Sequence, residues 1–110
     1  MQELTKKEKK IARDIFSMAI EKEFDEALKN SEIIIAKWKD GNATGRQIFH
    51  ETRSYFNNFL KHLERRYDAL RPSDYLITLA GILKDRFITE EEIKDFSDEA
   101  KETIKRYEAL

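Results

Sequence analysis

The sequence predicts an all-α protein: a four-helix, up-and-down-type bundle with a long first helix, which we expect homodimerisation to complete. Two observations predict the helices. The 110 residues include only three glycines and one proline, which leaves room for few turns and favours a small number of long elements. Apolar residues recur at helical spacing, and no β-type alternation holds over the length of a strand. At this length we expect a single domain spanning residues 1–110.

Threonine-based capping boxes mark three of the helix starts. The motif occurs as TKKE at 5–8, TGRQ at 44–47 and TEEE at 89–92. In such a box the threonine hydroxyl accepts a hydrogen bond from a free backbone amide, and the later side chain reaches back to the threonine amide. The helices are predicted at about 6–39, 45–70, 72–85 and 90–109.

Helix 1 is apolar on two sides. Its main stripe is a normal core face, and it comprises Ala12, Phe16, Ile20, Phe24, Ala27, Ile34 and Trp38. A second apolar set lies on the other side, and it is the candidate dimer interface: Ile11, Ile15, Met18, Ile33 and Ala36. Both sides must be covered, either by helices 3 and 4 of the same chain or by a two-fold mate.

The length of helix 1 favours the mate. Its roughly 34 residues would extend about 50 Å at 1.5 Å per residue. A compact domain of this size has a diameter of roughly 34 Å, so an unbroken helix would overhang its own domain. The alternative is a break at Asn30–Ser31, where Ser31 could cap a second helix that folds back.

Helix 2 has one apolar stripe and both histidines of the chain. The stripe favours one side of a core helix, and it comprises Phe49, Phe56, Phe59, Leu60, Leu63, Tyr67 and Leu70. His50 and His62 point about 120° apart around the helix, so they cannot share one metal ion. A His-Glu-x-x-His motif is also missing. We therefore expect no metal or other cofactor, and we expect both histidines to be bystanders in the fold.

Helices 3 and 4 have contrasting patterns. Helix 3 opens at Pro72 and is apolar nearly all round, which is typical of a central helix buried by its neighbours. Helix 4 has a single apolar stripe, formed by Ile93, Phe96, Ala100, Ile104 and Tyr107. Ile88 and Ile93 stand at the two positions of a hydrophobic staple around the third capping box. Because the turn between the helices is short, we predict a left-handed backbone conformation at Arg86.

Composition narrows the class of protein and its environment. The net charge is −1 and the pI is near 6.2, so no overall field attracts nucleic acid or an anionic membrane. There is no cysteine, which excludes disulfides and thiolate chemistry. The longest apolar run, YLITLAGIL, is half of what would span a bilayer, and the basic start MQELTKKEKK lacks the apolar stretch of a secretory signal. We expect a cytoplasmic location, and the Lys/Glu/Ile-rich composition is typical of proteins from hot environments.

The basic character of helix 2 gives an alternative function. Residues 41–71 carry six Lys or Arg against three acidic residues, whereas residues 72–110 carry six against ten. A small nucleic-acid-binding protein could use the basic helix 45–70 and the KKEKK start. However, the aromatic residues lie on the apolar stripe and the acidic half repels a polyanion, so we expect no nucleic acid. The same helix supplies a candidate surface for a protein partner: Arg53, Tyr55, His62, Arg65 and Arg66.

Residues 79–104, LAGILKDRFITEEEIKDFSDEAKETI, combine a Leu-x-x-x-Leu helix, a short turn and an Ile-Thr-x-Glu-Glu helix start. This segment resembles the short C-terminal oligomerisation domain of many bacterial proteins. Residues 67–107 are also similar to the C-terminal part of the cyanobacterial fluorescence recovery proteins, helical dimers that act on a carotenoid photoreceptor. The second resemblance implies a helical regulator by architecture only. The stretch from His50 to Leu60 lacks the Trp, the His-Asp pair and the Arg of that family's partner-binding helix.

Catalytic patterns are missing from the sequence. There is no Ser/His/Asp or Cys/His set, no Gly-rich phosphate loop after a strand and no pair of carboxylates in an apolar setting. The sequence therefore favours a non-catalytic homodimeric helical protein, an adaptor or regulator that works through its surface. The identity of the partner does not follow from the sequence.

Overall fold

Four α-helices form the computed structural model, which describes residues 3–110. They are α1 Lys6–Lys39, α2 Gly45–Tyr67, α3 Tyr75–Lys84 and α4 Asp98–Glu108. Short 3₁₀ helices at Pro72–Asp74 and Glu90–Ile93 precede α3 and α4. Residues 3–110 contain no β-strand. The prediction of an all-α fold with four helices is confirmed.

The first two capping boxes form as predicted. The Thr5 hydroxyl accepts a hydrogen bond from the Glu8 amide at 3.0 Å, and the Glu8 carboxylate accepts one from the Thr5 amide. Thr44 and Gln47 make the same pair of bonds at the start of α2. The alternative of a break in α1 is wrong, because the Ser31 hydroxyl donates to the Leu28 carbonyl at 2.7 Å inside a continuous helix.

The predicted fourth helix, residues 90–109, begins eight residues too early. Residues 90–93 form a 3₁₀ helix, and α4 starts only at Asp98. Ser97 caps α4 through a 3.1 Å hydrogen bond from the Ala100 amide, and its own amide donates to the Glu8 carboxylate at 2.9 Å. Ile93 and Phe96, which lie on either side of this interruption, are both buried in the core.

Most of the buried apolar residues belong to one half of the molecule, which we call the packed end. It consists of the first half of α1 (residues 6–19) with α3, α4 and the 3₁₀ helices that precede them. Leu79, Ile82, Ile93 and Ile104 are its largest fully buried side chains. The Phe16 ring lies 5.1 Å from the Tyr75 ring in an edge-to-face arrangement. The prediction that helix 3 is central is therefore confirmed, although Ile77 is about half exposed.

The second half of α1 (residues 20–39) and α2 form an antiparallel pair, which we call the hairpin. The Phe24 and Phe59 rings lie 5.2 Å apart, Asn30 Nδ2 donates to the Tyr55 hydroxyl at 3.0 Å, and Lys37 pairs with Glu51 at 2.8 Å. The molecule measures 54 × 25 × 24 Å and its radius of gyration is 17.4 Å, against about 13 Å for a compact domain of this size. The hairpin accounts for this elongation.

In the described part of the chain, residues 3–110, two non-glycine residues adopt left-handed backbone conformations. Arg86 has φ 66°, which confirms the prediction made for the turn after helix 3. The Phe87 amide donates to the Ile82 carbonyl and the Arg86 amide to the Leu83 carbonyl. Amides of the turn therefore satisfy carbonyls in the last turn of α3. Ala69 has φ 57°; this turn ends the predicted helix 45–70 early, at Tyr67.

Of the helices formed by residues 3–110, none is both long enough and apolar enough to cross a membrane.

Candidate functional site

A buried carboxylate lies where the hairpin joins the packed end. The Glu23 side chain is 3% exposed, and three side chains of α2 reach it. His62 Nε2 lies 2.6 Å from Glu23 Oε1, while Arg66 Nη1, at 3.2 Å, and the Tyr67 hydroxyl donate to Glu23 Oε2. Arg66 also donates to Asp85, just after α3. We call these five residues the Glu23 cluster.

Helical spacing explains why the cluster forms. Ala19, Glu23, Ala27 and Ser31 follow one another at intervals of four, and all four are buried, so they form one row along α1. The small neighbours let α2 approach closely enough for His62 and Arg66, also four residues apart, to reach Glu23. Sequence reasoning missed Glu23. The signal was there: one acid in a row of small residues, and two basic side chains at the matching spacing on the next helix.

The buried carboxylate of the cluster is both paired and hydrogen-bonded. A buried carboxylate is costly unless it is paired and hydrogen-bonded. Burial lowers the pKa of Arg66, but the hydrogen bond to Asp85 and the charges of Glu23 and Asp85 outweigh it and raise that pKa above its usual value. Burial, helped by the hydrogen bond to Glu23, raises the pKa of the Tyr67 phenol, so Tyr67 stays protonated and keeps donating. The cluster therefore fixes α2 against α1 and the end of α3.

Two open clefts flank the cluster and bring together most of the candidate partner-binding residues. Tyr55 and His62 line a cleft of about 310 Å³. His62, Arg65 and Arg66 line another of about 460 Å³. Arg53 is exposed but lines neither cleft. Four of the five predicted residues thus share one side of the hairpin, and Arg53 does not.

The two histidines have different surroundings. His50 is exposed, and its ring lies 6.0 Å from that of Phe49. His62 contacts a buried carboxylate, so the expectation that both histidines are bystanders is wrong for His62. Within residues 3–110, no group of three or more His, Asp or Glu side chains is arranged to hold a metal ion.

The candidate dimer-interface residues do not form one surface. Ile15 is 6% exposed and Ile11 packs against the same core, because α3 and α4 cover this side of α1. The expectation that these two residues need a mate to cover them is therefore wrong. Met18 and Ile33 are exposed, Ile33 by 67%, and Ala36 is half-buried.

The apolar stripe of α2 is also placed differently from the prediction. We expected it to be one side of a core helix, yet none of its seven residues is fully buried, and Ile48 is the one buried residue of α2. Phe49 is 69% and Leu60 53% exposed. A single neighbouring helix cannot cover a stripe this wide, because α1 contacts only one edge of it.

The exposed part of the stripe continues onto α1. A groove of about 240 Å³ between the two helices is lined entirely by apolar residues, among them Phe24, Leu28, Phe56 and Leu60. Ile35 and Phe49 each lie seven residues from a groove residue and so point to the same side. We call this surface the front face of the hairpin; it comprises Phe24, Leu28, Ile35, Phe49, Phe56 and Leu60.

Comparison with known proteins adds no family to these observations. No protein-family model matches the chain, and no curated protein matches it.

Proposed function

We propose that this chain is a non-catalytic helical interaction protein, an adaptor or regulator of the cytoplasm that works as a homodimer. The front face carries this proposal. It is an apolar surface on the part of the molecule that projects from the core, and exposed apolar patches of this kind mark interaction sites in soluble proteins.

The size of the front face supports a binding role. Four of its six large side chains are 39–69% exposed, and Ile35 and Phe56 are partly buried, so together they present on the order of 500 Å² of apolar area. This is close to the largest patch of a typical monomer, and such patches are often functional. Isolated exposed residues elsewhere, such as Ile33, need no such explanation.

The opposite side of the hairpin is the proposed surface for a different protein. Tyr55, His62 and Arg65 lie there, beside the two clefts. Tyr55 supplies an aromatic ring and Arg65 an exposed positive charge. Aromatic residues and arginine are both enriched in protein interfaces. A homodimer that uses its front faces would carry two copies of this surface.

A comparison of tagged proteins tests the interaction role. We expect proteins that co-purify with the wild type to be lost from an Arg65→Glu, Tyr55→Ala variant. Arg106→Glu makes the same charge change at an exposed position of α4, and this variant should retain the co-purifying proteins. Identical sets of proteins from all three samples would contradict the proposed surface.

The nucleic-acid alternative predicts a different result. Arg66 is paired with Glu23 and Asp85, and Lys37 with Glu51, so part of the basic charge is neutralised within the chain. We expect no binding of a random-sequence oligonucleotide in a fluorescence-anisotropy titration at 50 or 200 mM salt. Binding that weakens steeply between these two salt concentrations would favour the alternative.

A further inference from the structure

We infer that the front face binds a second copy of this chain, so that two hairpins together close a four-helix bundle. The inference rests on the proposed function, because it names the partner of the same apolar surface.

The spacing of the front-face residues is that of helices that pack in a bundle. Leu28 and Ile35 are seven residues apart on α1, and Phe49 and Phe56 are seven apart on α2. A seven-residue repeat keeps an apolar seam facing a neighbour over several turns. Within one chain, however, each hairpin helix has only one long neighbour. An antiparallel pair with such a seam is half of a four-helix bundle, and a second pair completes it.

The area of the face matches what a stable dimer needs. A standard interface buries about 800 Å² on each partner, and about 65% of a homodimer interface is apolar. These two values require roughly 500 Å² of apolar area per chain. The front face presents an area of that order, so a second copy can cover it without any other apolar surface.

The rim of the face carries both signs of charge, which favours a copy of the chain over a strongly charged partner. On the helical wheel Glu32 and Asp25 border the front face on α1, and Arg46 and Arg53 border it on α2; all four are exposed. An acidic or basic partner would meet like charge along one rim. A second copy can place Asp25 and Glu32 of α1 beside Arg46 and Arg53 of its mate's α2.

The packed end does not obstruct this arrangement. Ile15, which contacts the core, lies nine residues before Phe24 and so points about 180° away from it around α1. The core of each chain therefore sits behind its hairpin, and the front faces are free to meet.

Light scattering on matched variants tests the inference. We expect the wild-type mass to be about 26 kDa, twice the 13.1 kDa of one chain. Leu28→Glu should give a monomer with unchanged helical circular dichroism, because Leu28 is already 57% exposed in the single chain. The dissociation constant should rise roughly 100-fold or more, as for a residue central to an interface.

Ile33→Glu is the matched control. Ile33 lies on the same helix and is even more exposed, but it points about 180° away from Phe24, so this variant should remain a dimer. Leu60→Glu repeats the test from α2, in case Leu28→Glu perturbs α1. A wild-type monomer at high micromolar concentration, or a dimer that survives both front-face substitutions, would overturn the inference. So would a dimer that Ile33→Glu dissociates.

The same variants separate this inference from the proposed function. If the wild type is a monomer but still retains a protein that Arg65→Glu, Tyr55→Ala loses, the interaction role stands and self-association fails. If the wild type is a dimer that Leu28→Glu dissociates, yet no protein depends on Arg65 and Tyr55, the inference stands and the proposed second surface fails.

Discussion

The two halves of α1 lie in contrasting environments. In the packed end Ala12, Ile15, Phe16 and Ala19 are buried. Phe24 and Leu28, about one and a half and two and a half turns after Ala19 in the same helix, are 39% and 57% exposed. The sequence of α1 is apolar in both halves. The difference lies in the neighbours: the first half belongs to the core formed with α3 and α4, whereas the second half packs mainly on α2 and meets the turn after α3 near Lys22.

The two regions also differ in what holds them together. The packed end is an apolar core, and its one buried acid, Glu8, is satisfied by the backbone amides of Thr5 and Ser97. The hairpin instead depends on side-chain pairs: the Glu23 cluster, Asn30 with Tyr55, and Lys37 with Glu51. Polar pairs add little net stability but fix the register of two helices. The hairpin therefore has a fixed register and an uncovered apolar face, and the proposed self-association rests on that face.

The largest effect should come from the packed end. Leu79 is fully buried in α3, so Leu79→Ala leaves a cavity and should lower the free energy of unfolding by about 3–5 kcal/mol in urea denaturation. Ile77→Ala, in the same helix at a half-exposed position, should lower it by less than about 1 kcal/mol. Equal effects at the two positions would contradict the burial of Leu79 and the exposure of Ile77 in the packed end.

Glu23→Gln should have the next largest effect, at the junction of the two regions. It leaves Arg66 and His62 beside a neutral amide, and breaking a buried pair in this way costs about 3 kcal/mol. Glu26→Gln, one turn further and exposed, should change stability by less than about 0.5 kcal/mol. Both are measured by urea denaturation at one protein concentration, since dimerisation would couple to unfolding. A neutral Glu23→Gln would show that apolar contacts alone position α2.

Local patterns were sufficient to predict the helices but not every boundary. The capping boxes at Thr5 and Thr44 predicted the start of α1 and α2. The box at Thr89 was recognised, but α4 is capped by Ser97 and begins at Asp98 instead. That cap is selected by the bond from Ser97 to Glu8, 89 residues earlier, and a contact between distant residues leaves no trace in a local pattern.

The candidate site was less predictable for a similar reason. The stripe of α2 predicts a core face, and the sequence cannot state how many helices will be available to cover it. Tyr55, His62, Arg65 and Arg66 lie beside the two clefts, and their spacing on one helix could predict that proximity; their role in binding a partner stays a prediction. Glu23, which binds His62 and Arg66, lies on α1. Its contact with them depends on how α1 and α2 pack, and a local sequence pattern does not contain that information.

The acid response of the packed end gives a smaller effect. The amides of Ser97 and then Thr5 hold the pKa of Glu8 below its ordinary 4.5. Because the folded-state pKa is the lower one, this contribution to stability is complete above about pH 4.5 and is lost as the pH falls through the folded-state value. Glu8→Gln should cost about 1–2 kcal/mol at pH 7 and flatten this part of the stability curve. Glu102→Gln, exposed on α4, should leave the curve unchanged.

The smallest effect concerns the turns that separate the regions. Arg86 and Ala69 both have positive φ, a conformation that costs a non-glycine residue about 1–2 kcal/mol. Glycine removes this strain but adds about 0.5–1 kcal/mol of conformational entropy to the unfolded chain. Arg86→Gly and Ala69→Gly should therefore be neutral or stabilising by up to about 1 kcal/mol in thermal melts. Gly41→Ala, at φ 77° in the turn of the hairpin, should be destabilising by about 1 kcal/mol. A clear fall in melting temperature for Arg86→Gly alone would mean that its side chain contributes to the packed end more than its backbone strain removes.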